Sequence, residues 1–195
     1  MNSKLKIMDL HIYPLSPDRW NDLEMLFGPH GAFGNCWCMW FRQANKEWNV
    51  SSGEERKAML QGLANSELAP GLIGYDGIRP IAWISLGPRP DFARLVHSRV
   101  AKPIDDQPVW VVVCFFVERK YRRQGITVEL LKAAVDFARQ HGAIILEGYP
   151  VEPIEQKPDP WVYIGLASAF RKAGFVEVGR RKESRPIMRY FMESK

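Results

Sequence analysis

A basic turn with a single glycine is the part of this sequence best suited to chemistry. It spans residues 118–127, and a helical pattern starts directly after Gly125. The first N–H groups of a helix have no internal partner and the helix dipole adds about half a positive charge there, so main chain alone can hold a phosphate. Arg122 and Arg123 can add charge-assisted hydrogen bonds. The turn therefore predicts an anion site, which two adjacent phosphates would fill better than one.

A solvated basic turn is the competing interpretation of residues 118–127, because one glycine in a basic loop is not specific. The sequence contains neither a Walker loop nor a dinucleotide fingerprint, since both need further glycines and the Walker loop also needs Gly-Lys-Ser/Thr. Residue types alone leave both interpretations open.

The three cysteines, Cys36, Cys38 and Cys114, offer two further kinds of chemistry. A nucleophilic Cys114 would need a neighbouring base or a lowered pKa, and its sequence neighbours are all apolar, which favours a small buried side chain. Cys36 and Cys38 with His30 lack the second ligand pair and the spacing of a structural zinc site. We therefore predict no metal site.

The composition indicates the class of protein that carries these residues. The chain has 195 residues, of which 46% are hydrophobic and 12% aromatic, and its formal net charge is +5. These values exclude a disordered chain and favour one domain over residues 1–195. No apolar run approaches the roughly 18 residues of a membrane span, and Asp9 interrupts the apolar continuity that a signal peptide needs. Three cysteines make no disulfide framework for this length, so we expect a cytoplasmic protein with reduced thiols and no membrane partner.

Strands and helices alternate along the chain and position the candidate residues. Apolar alternation and turn residues predict strands at 5–13, 72–75, 80–86, 109–117, 143–146, 175–181 and 187–192. Helical periodicity and capping residues predict helices at 17–27, 53–65, 126–140 and 161–172. Asp76 and Gly77 are typical of a tight hairpin turn between the second and third strands.

The strand at residues 109–117 is apolar on both alternating faces, which predicts a central strand covered above and below. The basic turn, an amphipathic helix and another strand follow it, and this order implies a right-handed parallel crossover. The last two strands should form an antiparallel pair. The predicted fold class is therefore α/β with a mixed sheet.

The strand that ends at Val117, the basic glycine turn and the helix after it resemble the pyrophosphate loop of the GNAT superfamily of acyl-CoA-dependent N-acetyltransferases. The resemblance is strong over residues 109–149 and weaker at the Asp76-Gly77 hairpin and at residues 170–175. The family pattern is Arg/Gln-x-x-Gly-x-Gly/Ala. Arg122 and Gly125 match it, whereas Thr127 stands where glycine or alanine is usual.

The resemblance implies a GNAT-like fold, a central mixed β-sheet with a parallel strand pair splayed at the coenzyme A site and helices on both faces. It also implies acetyl-CoA as the cosubstrate, with main chain near Phe115 and Val117 pairing with pantetheine amides. The pyrophosphate would be held by Arg122, Arg123, Gln124, Gly125, Ile126 and Thr127. Gly148 and Pro150 interrupt the next strand, and because proline cannot donate to a ladder, we expect the parallel strands to separate at their C-terminal ends.

The activity that the resemblance implies is acetyl transfer from acetyl-CoA to a primary amine, by direct attack in a ternary complex. A lysine-like amine with a pKa of about 10.4 is mostly protonated at pH 7, so a base or a water chain must help. Glu147 is the candidate base, and its alternative is a surface carboxylate paired with an arginine. Many family members place a tyrosine acid where this chain has Phe170, so Tyr163 or Tyr149 is the remaining acid candidate.

Non-catalytic interpretations stay open from the sequence. A coenzyme A sensor would share the basic turn, and a nucleic-acid-binding module would use the basic residues Arg180, Arg181, Lys182 and Arg185. Acidic residues are interspersed with these and no aromatic–basic alternation forms a stacking platform, so we expect no nucleic-acid partner.

The identity of the amine acceptor depends on the shape of its pocket. In the family that the chain resembles, the segment between the first two helices shapes that pocket. Trp37, Trp40 and Trp83 therefore either select the acceptor or pack in the core.

Overall fold

The computed structural model describes residues 9–153 and 162–192. Its strands are β1 (Leu10–Pro14), β2 (Gly71–Asp76), β3 (Arg79–Pro88), β4 (Trp110–Val117), β5 (Ile145–Gly148), β6 (Val176–Lys182) and β7 (Arg185–Phe191). Its helices are α1 (Trp20–Phe27), α2 (Asn45–Val50), α3 (Gly53–Ala64), α4 (Ala93–Val96), α5 (Ile126–Gln140) and α6 (Ala167–Lys172).

The strands form one sheet in the order β1-β2-β3-β4-β5-β7-β6. β4 and β5 run parallel, and every other neighbouring pair is antiparallel. α5 connects the parallel pair, as a crossover between parallel strands requires. The predicted mixed α/β sheet with one parallel pair is confirmed.

Local sequence signals explain the best-predicted elements. α5 has the predicted bounds, and Gly142 follows it with a φ of +79°. α3 begins with a capping box, in which the Ser52 hydroxyl accepts from the Glu55 N–H and the Glu55 carboxylate accepts from the Ser52 N–H. The β2–β3 hairpin turns at Gly77, whose φ is +59°.

Some predicted boundaries are wrong. The last helix starts at Ala167 instead of residue 161, because Gly165 adopts a φ of +90° after the 3-10 turn Val162–Ile164. Residues 5–8 of the predicted first strand and Trp161 lie outside the described residues. β5 begins and ends two residues later than predicted, a 3-10 turn precedes α1, and the short helices α2 and α4 were not predicted.

Two faces of the sheet are covered by different elements. α5 packs on one face through apolar residues that include Leu130, Leu131 and Ala134. The opposite face carries two separate clusters, one with α1, α3 and Trp83, the other with Phe92 and Val111. Cys114, which is half-buried, packs against both clusters and so marks the seam between them.

An extra residue in β4 opens the sheet. Ser85 pairs with Cys114 and Leu86 pairs with Val112, so Val113 is a β-bulge against β3. The parallel pairing of β4 with β5 ends at Val112 opposite Gly148, although β4 continues for five more residues to Val117. The parallel strands therefore part where the sequence predicted, and the bulge supplies a cause that the sequence did not reveal.

Candidate functional site

The basic turn between β4 and α5 is open at its glycine. Gly125 is the N-cap of α5 with a φ of +83°, and a Cβ built on it would meet no atom within 4 Å. Arg122, Arg123 and Gln124 are exposed, and Arg123 also has a left-handed backbone with a φ of +64°. The turn is thus accessible from outside and is not sealed under other protein atoms.

Hydrogen bonds fix the ends of the turn and leave its middle amides without acceptors. The Arg122 Nε donates to the Val117 carbonyl at 2.9 Å, and the Gln124 side-chain amide donates to the Lys120 carbonyl at 2.9 Å. The first helical bond runs from the Val128 N–H to the Gly125 carbonyl. Within the described ranges, no acceptor lies on the amides of residues 123–127. Together with the dipole of α5, these amides make a site that favours an anion.

The edge of β4 next to this turn has lost its strand neighbour. Residues 114–117 pair with β3 on one side, whereas β5 has already diverged on the other. Phe115 and Val117, whose main chain the resemblance assigns to the pantetheine amides, lie in this stretch. The Phe115 side chain is buried against Phe170 with ring centroids 6.1 Å apart, so its main chain, and not its side chain, is the part available to a ligand.

Gly148 has a packing role that accompanies the strand divergence. A Cβ at Gly148 would lie 2.2 Å from the Phe170 ring. Phe170, which stands at the position of the family's tyrosine, is fully buried and fills the space beside β5. The aromatic ring at this position therefore contributes packing and carries no hydroxyl.

Tyr163 lies on the sheet face opposite α5, near Cys114. Its ring centroid is 6.4 Å from that of Phe41. Burial raises the pKa of the Tyr163 phenol, and the Cys114 and Cys36 thiols raise it further, while Arg185 and Arg94 lower it. We call Cys36, Cys114, Tyr163 and Arg94 the seam cluster, because the two thiols and Arg94 act electrostatically on the Tyr163 phenol.

Cys36 and Cys38 lie in a strained loop, which contributes Cys36 to the seam cluster. Four non-glycine residues of residues 28–38 have left-handed backbones, namely Ala32, Asn35, Trp37 and Cys38. The Trp83 indole donates to the Cys38 thiol at 3.0 Å. The Cys114 thiol and burial raise the pKa of Cys38, and burial raises the pKa of Cys36 to about 11. Protonated thiols of this kind are weak nucleophiles and weak metal ligands.

The predicted aromatic wall divides between core and surface. Trp37 and Trp83 are buried in the core, whereas Trp40 is half-buried next to Phe41. Among the residues with described positions, no group of three His, Cys, Asp or Glu side chains could hold a metal ion.

Glu147 lies in a buried ion-pair network on the face opposite α5. Only 1% of the residue is exposed, and its carboxylate accepts hydrogen bonds from the Arg189 Nε at 2.6 Å, the Arg89 Nη1 at 3.5 Å and the Tyr149 hydroxyl. Arg189 in turn binds Asp105 through both terminal nitrogens, at 2.6 and 2.9 Å. The alternative to a catalytic base is a surface carboxylate paired with an arginine. Glu147 is paired with arginine, but it is buried and does not lie at the surface.

Sequence reasoning missed Arg89 and Arg189 as partners of Glu147. Arg189 stands between the buried Met188 and half-buried Tyr190 of β7. A cation inside an apolar strand was the available signal, because a buried charge requires a partner. The partner's identity depends on a contact between residues 42 positions apart in the chain.

Two arginines of the basic run near the C-terminus are held by contacts within the chain. Arg180 pairs with Glu177 at 2.7 Å and with Glu152, and Arg181 donates to the Pro103 carbonyl at 3.1 Å. Hydrogen bonds from Arg171 and Arg180 lower the pKa of the Glu152 carboxyl to about 2. Guanidinium groups held in this way are less available to phosphates of a nucleic acid.

Solved structures of low sequence identity share the fold. The PaiA N-acetyltransferase from Thermoplasma acidophilum, in complex with coenzyme A, is 16% identical with a TM-score of 0.53, over 95% of this chain and 100% of that chain. YncA from Salmonella typhimurium, with its cofactor acetyl-CoA, is 12% identical with a TM-score of 0.52, over 95% of both chains. The ribosomal-protein-S5-alanine acetyltransferase from Vibrio fischeri is 12% identical with a TM-score of 0.54, over 95% of this chain and 94% of that chain.

Sequence comparisons give the family. No curated protein matches the sequence. No helix in the described part of the chain is long and apolar enough to cross a membrane. The model of the acetyltransferase (GNAT) family matches residues 36–152, more than half of the chain, and this range contains the open turn, β4, β5 and Glu147. The chain therefore belongs to the GNAT family of acetyltransferases.

Proposed function

We propose that this protein transfers an acetyl group from acetyl-CoA to a primary amine, by direct attack within a ternary complex. The observation that carries the proposal is the open turn at Gly125, whose free amides lie at the start of α5 and directly after the diverged part of β4. A diphosphate and an extended chain of amides are the two recognisable parts of coenzyme A that such a turn and such a strand edge fit.

The cofactor would be held mainly by backbone groups. The amides of Gln124, Gly125, Ile126 and Thr127 face the diphosphate in this proposal, and the exposed Arg123 adds charge. The Arg122 side chain donates a hydrogen bond to the Val117 carbonyl, and this bond fixes the position of the turn relative to the end of β4. The PaiA and YncA structures, which hold coenzyme A and acetyl-CoA, support the same ligand on this fold.

Acetyl transfer requires two proton movements. The amine nitrogen attacks the thioester carbonyl carbon, a C–N bond forms and the C–S bond breaks, while the nitrogen loses a proton and the leaving sulfur gains one. We assign Tyr163 as the donor to sulfur. The phenol lies near Cys114, at the bulge where the strands part, and burial raises its pKa, so it keeps its proton at neutral pH.

Glu147 is the candidate base from the sequence, and its contacts restrict that role. A general base must reach the proton that it removes, but this carboxylate is engaged by Arg189, Arg89 and Tyr149. We propose that Glu147 acts as a positioning residue that holds this network, and that a water chain takes the amine proton.

The test of the function measures binding and turnover separately. Isothermal titration with acetyl-CoA should give saturable binding, and release of free coenzyme A thiol should depend on an added primary amine. No binding at millimolar acetyl-CoA would overturn the proposal. Binding without turnover on any amine would instead favour the coenzyme A sensor.

Tyr163→Phe tests the acid. Loss of a general acid costs typically 10²–10⁴-fold, but a thiolate is a good leaving group with a thiol pKa of about 8.5. We therefore expect kcat to fall about 100-fold with an unchanged KM for acetyl-CoA. Tyr13→Phe, on the exposed part of β1, is the matched control. A Tyr163→Phe variant with wild-type kcat would remove the assignment.

A further inference from the structure

The seam cluster contains an arginine that the proposed reaction does not use. We propose that Arg94 binds a carboxylate of the acceptor, so that the acceptor is an α-amino acid and not a polyamine. This inference rests on the proposed function and concerns the acceptor side of the same site.

Arg94 is held rigidly against the loop that precedes α2. Its Nε donates to the Trp40 carbonyl at 2.6 Å, and its backbone N–H donates to the Phe41 carbonyl at 3.1 Å. Its guanidinium lies over the Trp40 ring at 3.7 Å, and Nη1 donates to the Asn45 side chain. A guanidinium fixed in this way is preorganised to bind a planar anion, because little conformational freedom remains to be lost.

One nitrogen of Arg94 is left without a partner. Nη2 is buried, and within the described residues no atom accepts a hydrogen bond from it. A buried donor without an acceptor is unfavourable, so such a group needs either a structural partner or a ligand. A carboxylate oxygen is the acceptor that best suits a guanidinium N–H.

Arg94 and Tyr163, the proposed acid, both contact Phe41. The Arg94 backbone N–H donates to the Phe41 carbonyl at 3.1 Å, and the Tyr163 ring centroid lies 6.4 Å from that of Phe41. In an α-amino acid the amine and the carboxylate share one carbon atom. A carboxylate bound to Arg94 therefore places the amine of the same molecule close to the phenol. In a polyamine the second charged group is several bonds away from the reacting amine and would not place it there.

The charges around Tyr163 favour the same class of acceptor. After burial, the largest effects on its pKa come from two thiols and two arginines, Cys114, Cys36, Arg185 and Arg94. The two arginines repel the second ammonium group of a polyamine, whereas they attract a carboxylate. The adjacent rings of Trp40 and Phe41 add apolar surface, which suits an amino acid with an apolar or aromatic side chain.

Matched substrate pairs test the inference. The pairs are phenylalanine and phenethylamine, tyrosine and tyramine, tryptophan and tryptamine, and lysine and cadaverine, each assayed by coenzyme A release. We expect the wild-type chain to prefer the carboxylated member of an aromatic pair by about 10- to 100-fold in kcat/KM, the value of a hydrogen bond to a charged group. Arg94→Gln should abolish the preference through KM for the amino acid.

Two variants and two measurements separate binding from folding. Arg94→Lys keeps the charge without the planar fork and should restore part of the preference. Arg99→Gln removes the same charge from an exposed residue five positions away and should keep the wild-type preference. The affinity for acetyl-CoA should be the same in Arg94→Gln as in the wild type. The thermal midpoint should fall, because the hydrogen bonds to the Trp40 carbonyl and the Asn45 side chain are lost.

Each contrary outcome overturns a defined statement. Equal or better use of the decarboxylated amines by the wild type, or an unchanged preference in Arg94→Gln, refutes the role of Arg94 and leaves acetyl transfer intact. Acetyl-CoA binding with no acetylation of any carboxylated member also refutes it. Failure to bind acetyl-CoA refutes the proposed function, and the acceptor inference with it.

Discussion

Gly125→Ala should weaken acetyl-CoA binding by about 10- to 100-fold, the value of one lost charge-assisted hydrogen bond. The structure has no atom within 4 Å of a Cβ at this position, so the added methyl group meets no protein atom. It would instead occupy the open space beside the turn, where the diphosphate is proposed to lie. Isothermal titration with acetyl-CoA measures the effect.

Gly142→Ala is the matched control for backbone strain. Gly142 follows the other end of α5 with a φ of +79°, and a Cβ there also meets no atom within 4 Å. Both substitutions place alanine in a left-handed conformation, at a cost of roughly 1–2 kcal/mol in stability. If both variants lose similar stability but only Gly142→Ala keeps the wild-type affinity for acetyl-CoA, the binding defect of Gly125→Ala is a property of the turn. Equal affinities in the two variants would show that the turn does not hold the ligand.

Glu147→Ala should lower the free energy of unfolding by about 3–5 kcal/mol, because removing one partner of a buried ion pair leaves an uncompensated charge. The Arg189 side chain is 4% exposed and would lose its Nε partner, while Arg89 and Tyr149 would lose an acceptor. Urea unfolding measures the change. Glu177→Ala, which breaks a pair near the surface with Arg180, should cost no more than about 1 kcal/mol.

Glu147→Gln separates the positioning role from the base role. The amide keeps the size of the side chain and an oxygen that accepts from Arg189, but it cannot take a proton from the amine. A folded Glu147→Gln variant should keep kcat within about tenfold, far less than the 10²–10⁴-fold of a lost general base. A larger fall in kcat with normal stability would restore Glu147 as the base.

Residue patterns within a single segment were enough to predict α5 and β4. The helical stripe after Gly125 and the glycine at Gly142 set both ends of α5, and the doubly apolar strand before the turn marked β4 as central. Residue types alone did not decide whether the turn is accessible, whereas in the structure a Cβ on Gly125 would meet no atom within 4 Å.

Contacts between distant residues explain what the sequence could not predict. The bulge at Val113 depends on the register between β3 and β4, and no residue type within β4 announces it. The pairing of Glu147 with Arg189 depends on β5 lying beside β7. The left-handed backbones of Trp37 and Cys38 are unfavourable for their residue types and are held by tertiary contacts such as the hydrogen bond from Trp83.

A crystal structure with coenzyme A would show directly whether the turn binds the cofactor. Diphosphate oxygens should lie at hydrogen-bond distance, about 3 Å, from amides of the turn between Gln124 and Thr127, with the pantetheine arm along residues 113–117 of β4. A diphosphate bound elsewhere, with the turn in contact with solvent alone, would contradict this prediction.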